Sequence, residues 1–433
     1  MTARRENVLL LDRVGYDRFR LPDGSPVLDP DRYRVTLLTR TPLAGQARPG
    51  ECAEVLGVRL SDTALRDALV GAVHREVGLD HLLAFSENLL LPGARLREQL
   101  GVRGPSTARL LPFRDKSVMK RTAAEGGLPV CDWRLVERAA DAAGLLARHG
   151  RIVLKPRLGS GSAGIHVVDS RAALAALDGR DLGGHQAEEF VDGGMLHVDV
   201  AVHRGELLAC VVFRYLTSTL SHVDNRPMLS VTVDDPQLVE RATEFTRRVV
   251  KAFGVTDAVL HLEVFELADG ALVFNEVAAR NGGAGVVPVV EALTGVNLYE
   301  AMVRLALGER PTTGYPRTHR AGGEFVHYSR PGRLAAIDDE AVPRDWLISR
   351  RATAKPGDRL KASGFSGAGL VTYAVGGRDE AEVRARLDFI RTHTSITYAD
   401  ACADACADTC ADEDARHRSN SAAVRTPSSS TDR

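Results

Sequence analysis

Lys155 closes a β-type run that begins at Arg151, and a glycine-serine loop, with Gly159, Ser160, Gly161, Ser162 and Gly164, follows before a second apolar run resumes at Ile165. Such a loop suits phosphate, because unshielded backbone N–H groups can close over the oxygens while the lysine supplies a point charge beneath. The spacing G-x-G-x-x-G alone does not say which phosphate fold is present. A dinucleotide turn needs a helix to open straight after the glycines; here Ile165, Val167 and Val168 continue as a strand. A protein kinase places its lysine after the loop and carries H-R-D and D-F-G signatures; here Lys155 precedes the loop and both signatures are missing. Neither Ser160 nor Ser162 has a glycine two positions before it, so the nucleophile elbow G-x-S-x-G is absent too. What remains is a β-hairpin flap over phosphate.

A second chemical feature is the stretch AVLHLEVFELADGALVFNEVAAR, residues 258–280. Asp269-Gly270 occupies the place of a two-residue hairpin turn. That turn would pair Ala268 with Ala271, and counting outward sets Phe265 against Phe274 and Glu263 against Glu276. Like charges directly opposite across a ladder are destabilising and must be compensated. A shared proton or solvent is one answer. Near a phosphate loop, two carboxylate ligands suit Mg²⁺, which commonly takes one or two carboxylates plus substrate phosphates.

These residues sit in a chain of 433 residues, longer than one hydrophobic core usually serves, with 44% hydrophobic residues and a net charge of -1. Without a long basic run, the electrostatic footprint of a nucleic-acid binder is missing. The first residues hold only the four-residue apolar run VLLL, too short for a signal-peptide core, and no stretch approaches a membrane span, so a soluble cytoplasmic protein is expected. Cys52, Cys131 and Cys210 read as isolated buried thiols. Cys402, Cys406 and Cys410 repeat every four residues and on a helix would offer thiolates to a soft metal, but the tract is low-complexity and runs into a polar tail that cannot bury a core.

Strand-like runs at Val8, Val35 and Glu54 alternate with helical patterns over residues 63–77 and 80–90, which predicts a small α/β domain. Helices are expected over 114–125 and 137–149. HQAEEFV, MLHVDVAV and LLACVVFRY read as strands, 236–253 as an amphipathic helix, and two shorter helices follow, the second capped by Asn297. A further β/α mixture runs from Thr318 to Tyr398. The expected division is an N-terminal α/β domain, 1–112; a middle domain carrying the flap, 113–312; a C-terminal α+β capping unit, 318–399; and a low-complexity tail, 400–433.

Together, KPRLGSGSAGIHVV, the EEFV strand, the HLE strand and NEVAARNGG resemble the ATP-grasp superfamily, and within it the carboxylate-amine ligases, including amino-acid ligases that make dipeptides. The likeness covers about residues 113–307. It implies a chain of α/β and α+β class, an ATP-grasp fold flanked by an N-terminal Rossmann-like α/β domain and a C-terminal α+β domain. It also implies ATP between two subdomains, with Lys116 and Lys155 on its phosphates, the flap residues above them, and Glu188, Glu189, Phe190 and Val191 as the hinge strand meeting adenine. Mg²⁺, with Mn²⁺ as an alternative, would sit on Glu263 and Glu276.

Two positions depart from the pattern. Many relatives have a nucleotide-binding glutamate near Met195; His197 and Asp199 are the replacements available here. Many also have asparagine two residues after the second metal carboxylate, where this chain has Ala278, leaving Asn275 or Asn281 to help.

The chemistry implied is transfer of the γ-phosphate to a substrate carboxylate, then attack by an amine on the acyl phosphate, with positioning and charge neutralisation doing most of the catalysis. Lys155 and Arg280 are the catalytic candidates, the latter because its planar fork matches a carboxylate. Gly282 and Gly283 would let backbone approach the same oxygens, and Arg214, His222 or Arg226 would help select substrate. Small-molecule acid and amine are the expected partners, with no nucleic acid or membrane, and a homodimer is allowed. A bicarbonate-using carboxylase of the same superfamily and a non-catalytic ATP-binding regulatory protein are the alternatives.

Overall fold

The computed structural model describes residues 4–399. Cys402, Cys406 and Cys410, with the thiolate-cluster reading, lie outside the described residues. Of the other thiols, Cys131 is buried and Cys52 and Cys210 are half-buried.

Strands β1 (Glu6–Leu11), β2 (Tyr33–Arg40), β3 (Glu54–Val58) and β4 (His81–Ala84) form a parallel sheet in the order β3-β2-β1-β4. Val8, Leu9, Leu10 and Leu11 are all fully buried, as befits a strand covered on both faces. Helices α1 (Thr63–Val77) and α2 (Glu87–Leu100) flank β4 in the chain. The expected helix over residues 80–90 is therefore corrected: it is β4, then a helix start marked by Ser86. A short apolar run has no period that separates strand from buried helix. Strand order reverses at β1, and in such sheets ligands bind outside the carboxyl ends of the strands at the reversal.

After α3 (Thr107–Leu110) and α4 (Lys116–Glu125) comes a small antiparallel sheet of β5 (Trp133–Val136), β6 (Ile152–Pro156), β7 (His166–Val168) and β8 (His185–Glu189), in the order β5-β8-β6-β7. Helices α5 (Ala143–His149) and α6 (Arg171–Ala175) pack on it through Leu145, Leu146 and Leu174. The helix expected from residue 137 becomes α-helical only at Ala143, after a tighter turn over Ala139–Ala142. β6 and β7 are the two arms of the flap.

The chain continues through β9 (Gly194–His203), β10 (Glu206–Tyr215), β11 (Met228–Thr232), α7 (Pro236–Ala252), β12 (Ala258–Glu266), β13 (Leu272–Ala278), α8 (Val286–Thr294) and α9 (Leu298–Ala306). It ends with β14 (Ala321–Tyr328), β15 (Gly332–Asp338), β16 (Leu347–Ala352), β17 (Arg359–Leu360), β18 (Gly369–Gly377), α10 (Glu380–His393) and β19 (Ser395–Tyr398). Eight strands make one sheet, β13-β12-β9-β10-β11-β14-β18-β16, and β17-β15-β19 make a three-stranded one. The segment after residue 318 is thus joined to the middle of the chain by a continuous ladder, β11 against β14.

Alternation along this sheet decides what faces the site. Leu196, Val198 and Val200 of β9 and Leu260, Leu262 and Val264 of β12 pack beneath α7, whose Leu238, Ala242, Phe245 and Val249 recur at helical spacing. Asp235 caps that helix by accepting from Gln237 N–H at 3.0 Å, and Pro236 opens it. The intervening residues, among them Ala201, Phe213 and Val259, face α8 and α9. His197, Asp199, His261 and Glu263 share that second face. Among the described residues no single helix is long and apolar enough to cross a membrane.

At the C-terminal edge, buried Asp339 accepts from Tyr373 Oη at 2.7 Å, from Arg344 at 3.1 Å and from Arg350. Burial would raise its carboxyl, but these donors outweigh it and bring it down to about 2. A carboxyl lowered on folding adds stability that is complete above its unfolded value and is lost as pH falls through the folded one. Asp339→Asn is expected to cost about 1–3 kcal/mol at neutral pH. In urea titrations that deficit should shrink as pH falls from about 4 toward 2.

Candidate active site

The β12–β13 hairpin turns through three residues, not two. Leu267 N–H donates to Ala271 O at 2.9 Å, and Gly270 takes the left-handed position at φ +81°. The ladder next to the turn therefore runs one residue out of the expected register, with Phe265 opposite Val273 rather than Phe274. A bulge at Asn275 restores it, so Glu263 still faces Glu276. Bulges re-aim side chains. Here Asn275 Nδ2 donates to Glu263 Oε2 at 3.1 Å, while Asn275 Oδ1 accepts from Lys155 Nζ at 3.3 Å. Asn275 thus joins the pair that Ala278 cannot reach, whereas the Asn281 amide is spent on Gly282 O.

The facing carboxylates are answered by cations and donors. Lys116 Nζ lies 3.2 Å from Glu276 Oε2, and Tyr215 Oη donates to Glu263 Oε1 at 3.2 Å. Burial alone would raise the Glu276 carboxyl, but Lys116 and then Lys155 bring it well below the usual range. Glu276 is thereby held ionised. Lys155 Nζ also pairs with Glu188 Oε1 at 2.8 Å, and Lys120 reaches Glu188 Oε2 at 3.4 Å. Against the effect of burial, those two lysines hold Glu188 at about 2. Two carboxylates beside a glycine-rich flap fit a hard divalent cation whose remaining ligands are phosphate and water.

The flap is tied to α4. Asp115 caps that helix, accepting from Ser117 N–H at 2.9 Å, and also accepts from Arg157 Nε at 3.1 Å; Lys116 N–H donates to Arg157 O at 3.0 Å. Lys116 Nζ then donates to Gly159 O at 2.9 Å. Gly161 and Ser162 are both left-handed, at φ +60° and +59°. Beneath the flap lies a cavity of about 420 Å³, bounded by Lys116, Lys155, the strand end Glu188, Glu189, Phe190 and Val191, and the two carboxylates. Its apolar walls include Val153, Met195, Leu216 and Phe265. Volume and lining suit one small-molecule ligand with a flat apolar part and a charged end.

A second cavity of about 540 Å³ shares Ser160, Gly161, Ser162, Tyr215, Glu263 and Glu276 with the first. The carboxylates stand at the junction. This cavity extends to the carboxyl ends of β1, β2 and β4 and is lined by Arg280, Gly282 and Gly283. Glu87, just beyond β4, takes Arg280 Nε at 2.8 Å and also pairs with Arg114. Arg280 Nη1 donates to Asn281 O at 2.7 Å. Gly282 N–H donates to Asp199 Oδ1 at 2.6 Å, and Asp199 also accepts from His261 Nδ1 at 3.1 Å. Burial works against an imidazolium at His261, but Asp199 outweighs it and pushes the group up to about 10.

No family model matches the chain. It is 25% identical over 299 residues to the L-arginine-specific L-amino acid ligase of Bacillus subtilis, across 66% of this chain and 71% of that protein. Its structure superposes on an L-amino acid ligase from Bacillus licheniformis with a TM-score of 0.73 and 19% identity, covering 92% of this chain and 100% of that one. It also superposes on the biotin carboxylase domain of the Hydrogenobacter thermophilus 2-oxoglutarate carboxylase, solved with MgADP and bicarbonate, with a TM-score of 0.67 and 16% identity over 90% of each chain. The chain has the ATP-grasp fold. Among proteins of that fold it resembles the carboxylate-amine ligases.

In the ATP-grasp frame several expected site residues lie elsewhere. His197 is fully buried, stacked on Phe213 at 4.5 Å between centroids and covered by Tyr215, with its nitrogens at Asp199 and Ser230, so it does not line the flap cavity. Arg214 is one residue before Tyr215, hence on the opposite face, paired with Glu266 at 2.8 Å. Arg226 is exposed and pairs with Asp224, and His222 is buried against Tyr328. Gly164 shapes the flap at φ +72° without lining the cavity.

The residues missed are Glu87, Lys120, Tyr215, His261 and Glu324. Glu87 was hidden by the misreading of β4, since recognising a parallel strand there points to its carboxyl end. Lys120 is four residues after Lys116, one helical turn on, a spacing that could have found it.

Glu263→Gln and Glu276→Gln are expected to weaken Mg²⁺-dependent ATP binding in calorimetry by well over tenfold, and Asn275→Ala by about 10–100-fold. Binding without Mg²⁺ should change much less. An isotherm unchanged by all three substitutions would contradict the cation fit.

Proposed function

We propose that this chain is an ATP-dependent carbon-nitrogen ligase joining a small carboxylate, an amino acid or related acid, to an amine with release of ADP and phosphate. The observation that carries the reading is the placing of Glu263 and Glu276 where the flap cavity meets the second cavity. A nucleotide in the first would direct its terminal phosphate at an acid in the second.

In this reading a carboxylate oxygen of the acid attacks the γ-phosphorus as the bond to ADP breaks. The amine nitrogen then attacks the acyl carbon, phosphate leaves with the oxygen that came from the acid, and the amine loses a proton. Lys116, Lys155 and the flap N–H groups hold the phosphates and neutralise developing charge. Mg²⁺ bound by Glu263, Glu276 and Asn275-supported oxygens would add further neutralisation. The strand end Glu188, Glu189, Phe190 and Val191 would meet the base, largely through backbone groups. Of the five N–H groups of Arg280, Glu87 and Asn281 engage Nε, Nη1 and Nη2. The groups left over are available to a substrate oxygen.

Arginines line the second cavity, which disfavours there the cationic L-arginine for which the Bacillus subtilis relative is named. A bicarbonate-dependent carboxylase is the second reading, favoured by the likeness to a biotin carboxylase domain solved with bicarbonate.

ADP release screened over pairs of amino acids, with bicarbonate as control, distinguishes the readings. The ligase predicts release that needs both an acid and an amine, and a loss in kcat/KM of about 100-fold or more in Arg280→Ala. Release with bicarbonate alone would establish the carboxylase instead, and ATP binding without turnover under any pairing would indicate a regulatory protein.

A further inference from the structure

The second cavity carries more positive charge than its own acids can answer. Each acidic side chain lining it has a donor: Glu87 has Arg114 and Arg280, Glu263 has Tyr215 and Asn275, Glu276 has Lys116, and Glu324 accepts from Gly285 N–H at 2.7 Å and Ser230 Oγ at 3.2 Å. The arginines are not so matched. Arg13, Arg18, Arg40 and Arg351 all line the cavity. Arg18 donates to Tyr299 Oη at 3.1 Å, and among the described residues Arg13, Arg40 and Arg351 have no acidic partner.

Two of these cations are positioned by the fold. Leu11 pairs with Leu38 in the parallel ladder, so Arg13, two residues past β1, stands level with Arg40, the last residue of β2. Buried Asp12 ties the two strand ends together. It accepts from Val14 N–H and Gly15 N–H, each at 2.9 Å, and from Thr39 Oγ1 at 3.1 Å. Gly15, at φ +110°, permits the sharp return that brings Tyr16 into the core. The loop carrying Arg13 is therefore held in place. Like charges gathered on a concave wall repel one another and draw an anion, and guanidinium forks match carboxylate or phosphate oxygens. At about 540 Å³ the cavity has room for more than a reacting carboxylate.

We propose that this cavity recognises a second anionic group, a carboxylate or phosphate that is not consumed, carried by one of the two molecules joined and held by Arg13 and Arg40 with Arg18 and Arg351 adding charge. The inference rests on the ligase reading for the word "joined", but the anion site is testable without turnover.

The test is calorimetric binding, with MgADP present, of matched probes that differ by one anionic group. On the acid side these are L-aspartate, L-glutamate and O-phospho-L-serine against L-asparagine, L-glutamine and L-serine; on the amine side, glycine against glycinamide. The anionic member of at least one pair should bind about tenfold or more tightly. Arg13→Ala and Arg40→Ala should each remove most of that preference while the neutral member changes less than twofold, and Arg13→Lys should recover part of it. Which side shows the preference identifies the molecule that carries the anion. Equal binding within every pair, or a preference that survives both alanine substitutions, overturns the proposal. A failure of ADP release with every pairing would count against the ligase reading and leave this comparison standing.

Discussion

Two carboxylates facing each other across adjacent strands repel, and the centre of this molecule is organised around that repulsion. Glu263 and Glu276 meet at the one point where the β12–β13 ladder is interrupted, and Lys116, Lys155, Tyr215 and Asn275 converge on them from four different elements. Removing a cation from such a cluster leaves a half-buried charge unanswered, at a cost that grows with its burial. The groups that answer the two carboxylates are the same ones that line the flap cavity.

The flap is held at both ends of its reach. At its root, Asp115 and Arg157 tie it to α4, the helix that presents Lys116. At its tip, Ser366 N–H donates to Gly161 O at 3.0 Å, and the Phe365 ring packs where a Gly161 side chain would otherwise begin. The loop bearing Phe365 leads into β18, a strand of the same long sheet that carries β12. Floor and cover of the flap cavity thus belong to one sheet, and the C-terminal segment touches the flap directly.

Much of this was legible in the residues. Lysine before glycines, with a strand on either side, specified a flap, and the acidic hairpin specified which carboxylates would face each other. The register came out correctly only because two departures cancel: a three-residue turn shifts the ladder by one, and the Asn275 bulge shifts it back. Neither could be read locally, since D-G fits both turn lengths and a bulge leaves no composition signal. Period-2 alternation could have separated Arg214 from Tyr215 and put the arginine on the α7 side. The fate of His197 was not legible, because its enclosure depends on Phe213 and Tyr215 of a neighbouring strand. The helix assigned over residues 80–90 concealed β4 and with it Glu87, the partner that orients Arg280.

In the proposed reaction phosphate passes from the flap cavity to a carboxylate in the second cavity across the Glu263–Glu276 junction. It is tested most directly by turnover of the acid that supports ADP release, labelled with ¹⁸O in its carboxylate, followed by mass spectrometry of the phosphate. Transfer of one carboxylate oxygen to each phosphate released is the predicted result. Unlabelled phosphate, formed by attack of water on ATP, would contradict it.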